Sequence, residues 1–270
     1  MQDDVSHRFT HAITRIPAIS CVNGITTANL GTPDAARFRS QHAAYVAALE
    51  RAGVSVTVLA PDERFPDSVF VEDPAFCLPE IAVLLRSGAP ERQGEAAAIE
   101  PAIRSFYGKH AFSLSDGALV DGGDILVTGS EVLVGLSNRT NAYGVNEIIE
   151  LVRPWGYKVR AIETPVSVLH LKTDCATLGG NTILATKRLA EGGAFSDYKT
   201  ILVADGEEAA ANAVRVNDTV LLAEGFDQTA AILSEAGFSV ECLDISEARK
   251  LDGGLSCMSL RFSSLSACER

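Results

Sequence analysis

The sequence contains no CxxC pair, no glycine-rich phosphate loop and no long apolar run, and each absence removes a class of function. Its six cysteines (Cys21, Cys77, Cys175, Cys242, Cys257 and Cys268) are scattered, which argues against a zinc site or a redox dithiol. In a reducing compartment they are expected to be free thiols, most of them small buried hydrophobes and one or two chemically active. Without GxGxxG after a strand or GxxxxGK[ST], nucleotide phosphates have no obvious cradle. No apolar run approaches the roughly 18 residues of a membrane helix. The polar, acidic stretch from Met1 to Thr10 does not read as a signal peptide. The expected compartment is therefore the cytoplasm, with no membrane partner. Positive charge is scarce as well: 23 Lys and Arg stand against 35 Asp and Glu, a net charge of −12. That field repels nucleic acid, whose phosphates need clustered Lys and Arg. Most of the acidity serves solubility, and it is compatible with a small cationic substrate.

What the sequence does hold is a globular composition, with 47% hydrophobic and 21% charged residues over 270 positions. No linker divides it, so residues 1–270 are expected to form one α/β domain with a substantial core. Val- and Ile-rich strand candidates recur at His11–Ile16, Val54–Leu59, Ser68–Phe76, Ile81–Leu85, Ile125–Thr128, Val132–Gly135, Lys158–Ile162, Thr182–Ala185, Ile201–Val203, Thr219–Leu222, Ser239–Leu243 and Ser259–Phe262. Helical spacing lies between them at Asp34–Gly53, Gly94–Tyr107, Asn141–Trp155, Glu207–Ala213 and Phe226–Ala236. The junctions "RAGVSVTVL", "PWGYKVRAI" and "EAGFSVECL" repeat one pattern, a helix end with Gly followed by an alternating strand. That repetition points to internal structural repeats rather than a Rossmann sheet.

Four clusters concentrate polar residues between apolar runs. "FPDSVFVEDP" carries Asp67, Glu72 and Asp73; on a strand Glu72 and Asp73 face opposite sides, so one of them must meet the interior or a pocket. "LVDGGDILVTG" carries Asp121 and Asp124 around a Gly pair and, taken alone, reads as a hairpin turn. "VLHLKT" places His170 in an apolar run, where a lone His is usually a hydrogen-bonded core residue unless a nucleophile accompanies it. "LDGGLSCMSLRF" sets Cys257 after Gly253 and Gly254, which allow a ligand backbone-level approach. "RSGAPER" and "LSNRTN" add Arg86, Arg92 and Arg139.

Together these groups suit one chemistry. A protonated guanidinium is a poor electrophile; carboxylates such as Asp73 and Asp121 could hold its N–H edges by charge-assisted hydrogen bonds and fix its orientation. A thiolate supplies the strong nucleophile, and a His protonates the leaving amine and then activates water. Arg92 and Arg139 could bind the α-carboxylate of an amino acid at the far end.

These segments, with "HAITRIP…VNGI" and "GLSNRTN", occur in the order and approximate spacing of dimethylarginine dimethylaminohydrolases, particularly the bacterial ones. The resemblance runs from about His11 to Phe262. It implies a pentein fold, a five-fold pseudosymmetric α/β-propeller around a substrate channel. It further implies Cys257 as nucleophile, His170 as general acid/base and Asp121 as the third catalytic position, where some bacterial relatives carry Glu. Asp73, with Glu72 beside it, matches the guanidinium site, Asp67 the residue facing the α-amino group, and Arg92 and Arg139 the carboxylate-binding pair. Ile25 resembles the lid position and Leu251 a backbone contact. The implied reaction converts Nω-methylated arginine to citrulline and methylamine or dimethylamine through a thiouronium on Cys257. No metal or organic cofactor is implied, although a thiol beside a His could bind zinc as an inhibitor. The implied partner is a small guanidine, and a homodimer is compatible with the sequence. The rival readings are a hydrolase or deiminase of arginine, agmatine or a substituted arginine on the same scaffold, and a non-catalytic pentein. The last would lose Cys257 and His170, which stand in intact motifs.

Overall fold

The computed structural model describes residues 5–263, so Cys268 and the first four residues lie outside the described residues. One motif is used five times: a strand, an antiparallel neighbour, a helix, and a third strand parallel to the second. In the first module β1 (His11–Arg15) leads through α1 (Ala35–Arg51) to the parallel β2 (Ser55–Leu59). The second runs β3 (Ala75–Cys77), β4 (Ala82–Leu84), α2 (Glu95–Tyr107) and β5 (Ala111–Ser113). The third is β6 (Ile125–Val127), β7 (Val132–Leu136), α3 (Ala142–Val152) and β8 (Val159–Glu163). The fourth is β9 (Cys175–Gly179), β10 (Thr182–Ala185), the short α4 (Lys187–Ala190) and β11 (Lys199–Leu202). The fifth is β12 (Val214–Val216), β13 (Thr219–Ala223), α5 (Asp227–Glu235) and β14 (Ser239–Leu243). After α6 (Ser246–Arg249), β15 (Leu260–Phe262) pairs antiparallel with β1 and supplies the first module's remaining strand.

Local chemistry sets the element ends. Asp34 caps α1 by accepting from the N–H groups of Ala36 and Arg37, and Asn141 caps α3 by accepting from Gly144. The middle strands are apolar and buried on both faces, whereas the third strands β2, β8 and β14 keep exposed positions. Helix α1 buries Phe38, Tyr45 and Leu49 completely, a contribution of roughly 1.5–3 kcal/mol for each large apolar side chain. The Tyr45 hydroxyl donates to the Leu255 carbonyl at 2.8 Å and meets Ser259 Oγ at 2.6 Å, which ties this helix to the chain on either side of Cys257.

Two expected elements differ. The segment 68–76 is not a strand: it folds as consecutive tight turns, Phe70 N–H donating to Asp67 and Asp73 N–H to Phe70, and only Ala75–Cys77 is extended. A flat ladder there would leave the Asp67 and Phe70 carbonyls without the Arg92 guanidinium that they accept from. The 207–213 stretch forms a 3₁₀ turn, Glu208–Ala211, instead of a helix. Strands β5, β9 and β12 were not visible as patterns; β5 and β12 are three residues long, and β9 carries Thr and Gly among its apolar residues. Among the described residues no helix is long and apolar enough to cross a membrane.

Each module after the first enters its leading strand through a tight turn: 67–74 before β3, Gly122–Asp124 before β6, Leu171–Thr173 before β9 and Glu208–Ala211 before β12. Ser256–Met258 does the same before β15. These turns carry the polar clusters.

Candidate active site

Asp73, Asp121 and His170 arrive from three modules, and their polar side-chain atoms lie within 4.8 Å of one another, all buried. Gly122 N–H donates to the Asp73 carbonyl and Gly123 N–H to Asp73 Oδ1 at 2.9 Å, so the DGGD segment is a 3₁₀ turn and not a hairpin. The glycines are needed for close approach. A Cβ on Gly122 would overlap the Glu72 carbonyl, and one on Gly123 would sit 2.6 Å from His170 Nδ1. The two acids of the motif divide their work. Asp124 is structural, accepting from Ser137 Oγ, Thr140 Oγ1 and the Leu171 N–H, and thereby fixing the turn that follows His170. Asp121 Oδ2 meets His170 Nε2 at 3.0 Å, and its Oδ1 accepts from Gly88 N–H.

This acid cluster governs the imidazole. Burial alone would lower the His170 pKa, but Asp73, Asp121 and Asp124 outweigh it and raise the value to about 9. Burial opposes ionisation of Asp121 too, yet the hydrogen bond and charge of His170, with Arg92 beyond, hold its carboxyl below the usual range. His170 is therefore an imidazolium at neutral pH, suited to deliver a proton. The same three groups form a cluster able to hold a cation, but a metal would have to displace the proton that the acids favour. Cys257 is not part of that cluster.

Cys257 stands in the Ser256–Met258 turn, with Gly254 N–H donating to its Sγ at 3.4 Å. Burial pushes its thiol up to about 11, with Glu72 and Asp73 adding to the rise, while the Gly254 N–H and Lys172 oppose it. Gly253 lines the same cleft as Cys257, in keeping with the backbone-level approach its sequence suggested; a Cβ on it would overlap Phe70, and one on Gly254 would overlap Asn212. Both let the Cys257 turn pack tightly against its neighbours.

Cys257, His170, Asp73, Asp67, Arg92, Arg139, Ile25 and Leu251 line one cleft, joined by Phe70 and Asp252. Its free space is about 30 Å³, enough for about two waters and far short of an arginine-sized molecule. The segment around Ile25 closes it. Ile25 N–H donates to both Asp67 oxygens (3.1 and 3.2 Å), and Thr27 donates from N–H and Oγ1 to Asp252. Burial raises the Asp67 pKa, opposed by Arg92.

Two of the sequence candidates sit differently from the rest. Glu72 does not line the cleft: its carboxylate accepts from Lys172 Nζ at 2.6 Å, Arg261 Nη2 at 2.7 Å and Ser256 Oγ at 2.9 Å. It borders a separate cavity of about 100 Å³ that Ser256 also lines. Because 68–74 is turns and not strand, Glu72 and Asp73 are both buried, each facing polar partners. Arg92 is only 6% exposed and heavily engaged, bidentate to Glu95 and also donating to Asp73 and to the carbonyls of Asp67 and Phe70. Arg139 also lines the cleft and reaches Asp121 at 3.4 Å. Arg86 instead faces outward to Asp116.

Sequence reading missed Glu95 and Asn212. The i,i+3 spacing of Arg92 and Glu95 is a signal that an ion pair would give. Asn212, isolated in an alanine-rich stretch, gives none.

Comparison with known proteins bears directly on this geometry. The family model described as N,N dimethylarginine dimethylhydrolase, eukaryotic, matches residues 32–187. The chain is 41% identical to N(G),N(G)-dimethylarginine dimethylaminohydrolase of Pseudomonas aeruginosa, over 94% of this chain and all of that one. The protein of the same name from Streptomyces coelicolor is 34% identical, over 82% of this chain and 84% of that one. The P. aeruginosa enzyme, solved as a cysteine-to-serine mutant with citrulline, superposes at a TM-score of 0.92 with 40% identity, covering 94% and 100% of the two chains. The N-terminal domain of ArgZ, an arginine dihydrolase of Cyanobacteria, superposes at 0.83 with 21% identity, covering 94% and 98%, and shares the fold alone. The architecture is a pentein-type α/β fold.

Proposed function

The chain belongs to the dimethylarginine dimethylaminohydrolase family, and from that premise we propose that it hydrolyses Nω-methylated L-arginine to L-citrulline and dimethylamine or methylamine. The observation that carries the reading is one buried cleft in which Cys257 and an imidazolium at His170 face the carboxylates of Asp67 and Asp73. The five modules act together in this reading as a single catalytic domain, residues 1–270, arranged as a five-fold pseudosymmetric propeller.

Asp73 takes the guanidinium N–H edge and Asp67 the α-amino group, and Arg139, with Arg92 behind Asp73, receives the α-carboxylate. Asp67 then exchanges the Ile25 N–H for the substrate's ammonium, so the segment around Ile25 opens and recloses over the bound amino acid, with Leu251 at its rim. Glu72 acts from behind, holding Lys172 and the Ser256 hydroxyl. In the buried cleft the thiol of Cys257 is protonated. An entering guanidinium brings the positive charge that stabilises the thiolate, so the thiol's proton passes to solvent water, and it sets the substrate's central carbon toward sulfur. The thiolate forms a C–S bond to that carbon while His170 gives its proton to the departing amine, whose C–N bond breaks. The thiouronium left on Cys257 is attacked by water. The now neutral His170 takes the water's proton, the C–S bond breaks, and citrulline leaves with Cys257 regenerated. Asp121 keeps the imidazole oriented through both steps.

The test is incubation with asymmetric dimethylarginine, monomethylarginine, arginine and agmatine, followed by a ureido assay, with Cys257→Ser alongside. Citrulline from the methylated arginines, absent in the variant, is expected. Turnover of arginine or agmatine alone would overturn the substrate assignment while keeping the chemistry.

A further inference from the structure

Four of the five turns that lead into a first strand deliver one residue each to the chemistry: Asp73 before β3, Asp121 before β6, His170 before β9 and Cys257 before β15. The fifth turn, Glu208–Ala211 before β12, ends on Asn212, two residues ahead of its strand as Asp73 is ahead of β3. The proposed function gives this module no part. Its side chain is nonetheless placed between the two reacting groups. Asn212 Oδ1 accepts from the Ser256 N–H at 3.0 Å, the first residue of the nucleophile's turn. Its Nδ2 donates to the Lys172 carbonyl at 2.9 Å, inside the turn that follows His170, and lies 3.9 Å from Cys257 Sγ. Gly254 is required for this arrangement, because a Cβ there would overlap the carboxamide.

We propose that Asn212 is the fifth module's contribution to the site, a positioning residue that locks the Cys257 turn to the His170 turn and turns an N–H toward the sulfur. Two donors then face Sγ, the Gly254 N–H and the Asn212 carboxamide, on the side away from the substrate cleft, which Asn212 does not line. Hydrogen bonds to sulfur strengthen when it carries charge, so this pair favours the thiolate over the thiol. The charged groups facing Cys257 are Glu72 with its partner Lys172, and Asp73 beside His170, and none of them is changed by substituting Asn212.

The inference rests on Cys257 being the nucleophile, so its test measures the thiol directly. Alkylation by iodoacetamide is followed from pH 6 to 11 in the wild type, Asn212→Ala and Asn212→Asp, with Cys257→Ser giving the background of the other cysteines. Asn212→Asp keeps the acceptor for Ser256 and the side-chain shape, while losing both N–H donors and adding a charge. Asn212→Ala is expected to raise the apparent thiol pKa by about one unit and slow alkylation at pH 7.5 about tenfold. Asn212→Asp should raise it further. With methylarginine, kcat should fall about tenfold and KM change less than about twofold. Folded variants whose thiol titrates as in the wild type would overturn the proposal, and so would loss of the fold in both, which would make Asn212 a scaffold residue. A wild type that ignores methylarginines but shows the Asn212-dependent thiol shift would sink the substrate assignment and leave this inference standing.

Discussion

Asp121→Asn tests the electrostatic core of the site. The carboxylate and imidazolium are 3.0 Å apart and both buried. At an effective dielectric of about 20, two unit charges at that separation interact by roughly 5 kcal/mol, equivalent to roughly 4 pH units. The carboxamide of the variant would still accept a hydrogen bond, and Asp73 and Asp124 remain, so a fall of about 2 units is the conservative expectation. That takes His170 from about 9 to about 7. At pH 8 the imidazolium fraction then drops from about 90% to about 10%, and the step that protonates the amine slows about tenfold. Activity should recover as the pH is lowered toward 6, which a purely orientational defect would not do. A stability effect follows the same sign. A His whose folded pKa is raised from 6.5 stabilises the fold fully below pH 6.5 and loses that contribution as pH rises to about 9, at most roughly 3 kcal/mol. The variant should lose most of that dependence. The assays are the pH profile of kcat for citrulline formation and an NMR titration of the His170 ring, with Asp121→Glu restoring the wild-type limb. An alkaline limb or ring titration that stays near pH 9 in Asp121→Asn would refute the reasoning.

Two further outcomes are expected. His42 on α1 is buried with no hydrogen-bond partner at Nε2 among the described residues, and burial lowers its pKa to about 4. The unfolded chain takes up that proton from pH 6.5 downward, so stability should drop by up to roughly 3 kcal/mol between pH 6.5 and 4. His42→Leu should abolish this part of the acid sensitivity in urea melts at pH 7 and pH 4.5; an unchanged difference would remove His42 from the account. Glu95→Ala leaves the buried Arg92 without its bidentate partner, and should cost about 3–5 kcal/mol in denaturant unfolding. A loss below about 1 kcal/mol would show that Asp73 and the backbone carbonyls suffice.

Taken one at a time, the candidate residues read as structure, "DGGD" as a turn and His170 as a core residue; only their occurrence together in one sequence pointed to guanidinium chemistry. The helix ends at Asp34, Asn141 and Gly237 were local, since capping and left-handed glycine are decided within a few residues. The repeated helix–strand junction announced repetition, and the structure shows the unit to be a three-stranded sheet with one parallel crossover, used five times. Partnership was beyond the sequence. Asp121 and His170 are 49 residues apart, and Asn212 and Cys257 45, so they meet only because separate modules set their entry turns side by side. Periodicity likewise assigned 68–76 to a strand, where a buried guanidinium 22 residues from Phe70 and 25 from Asp67 claims their carbonyls and curls the chain. Residue types fix which chemistry is available and are read one position at a time. Orientation, protonation and the separate duties of Glu72 and Asp73 depend on which charges face each other once water is excluded, and only the tertiary structure decides that.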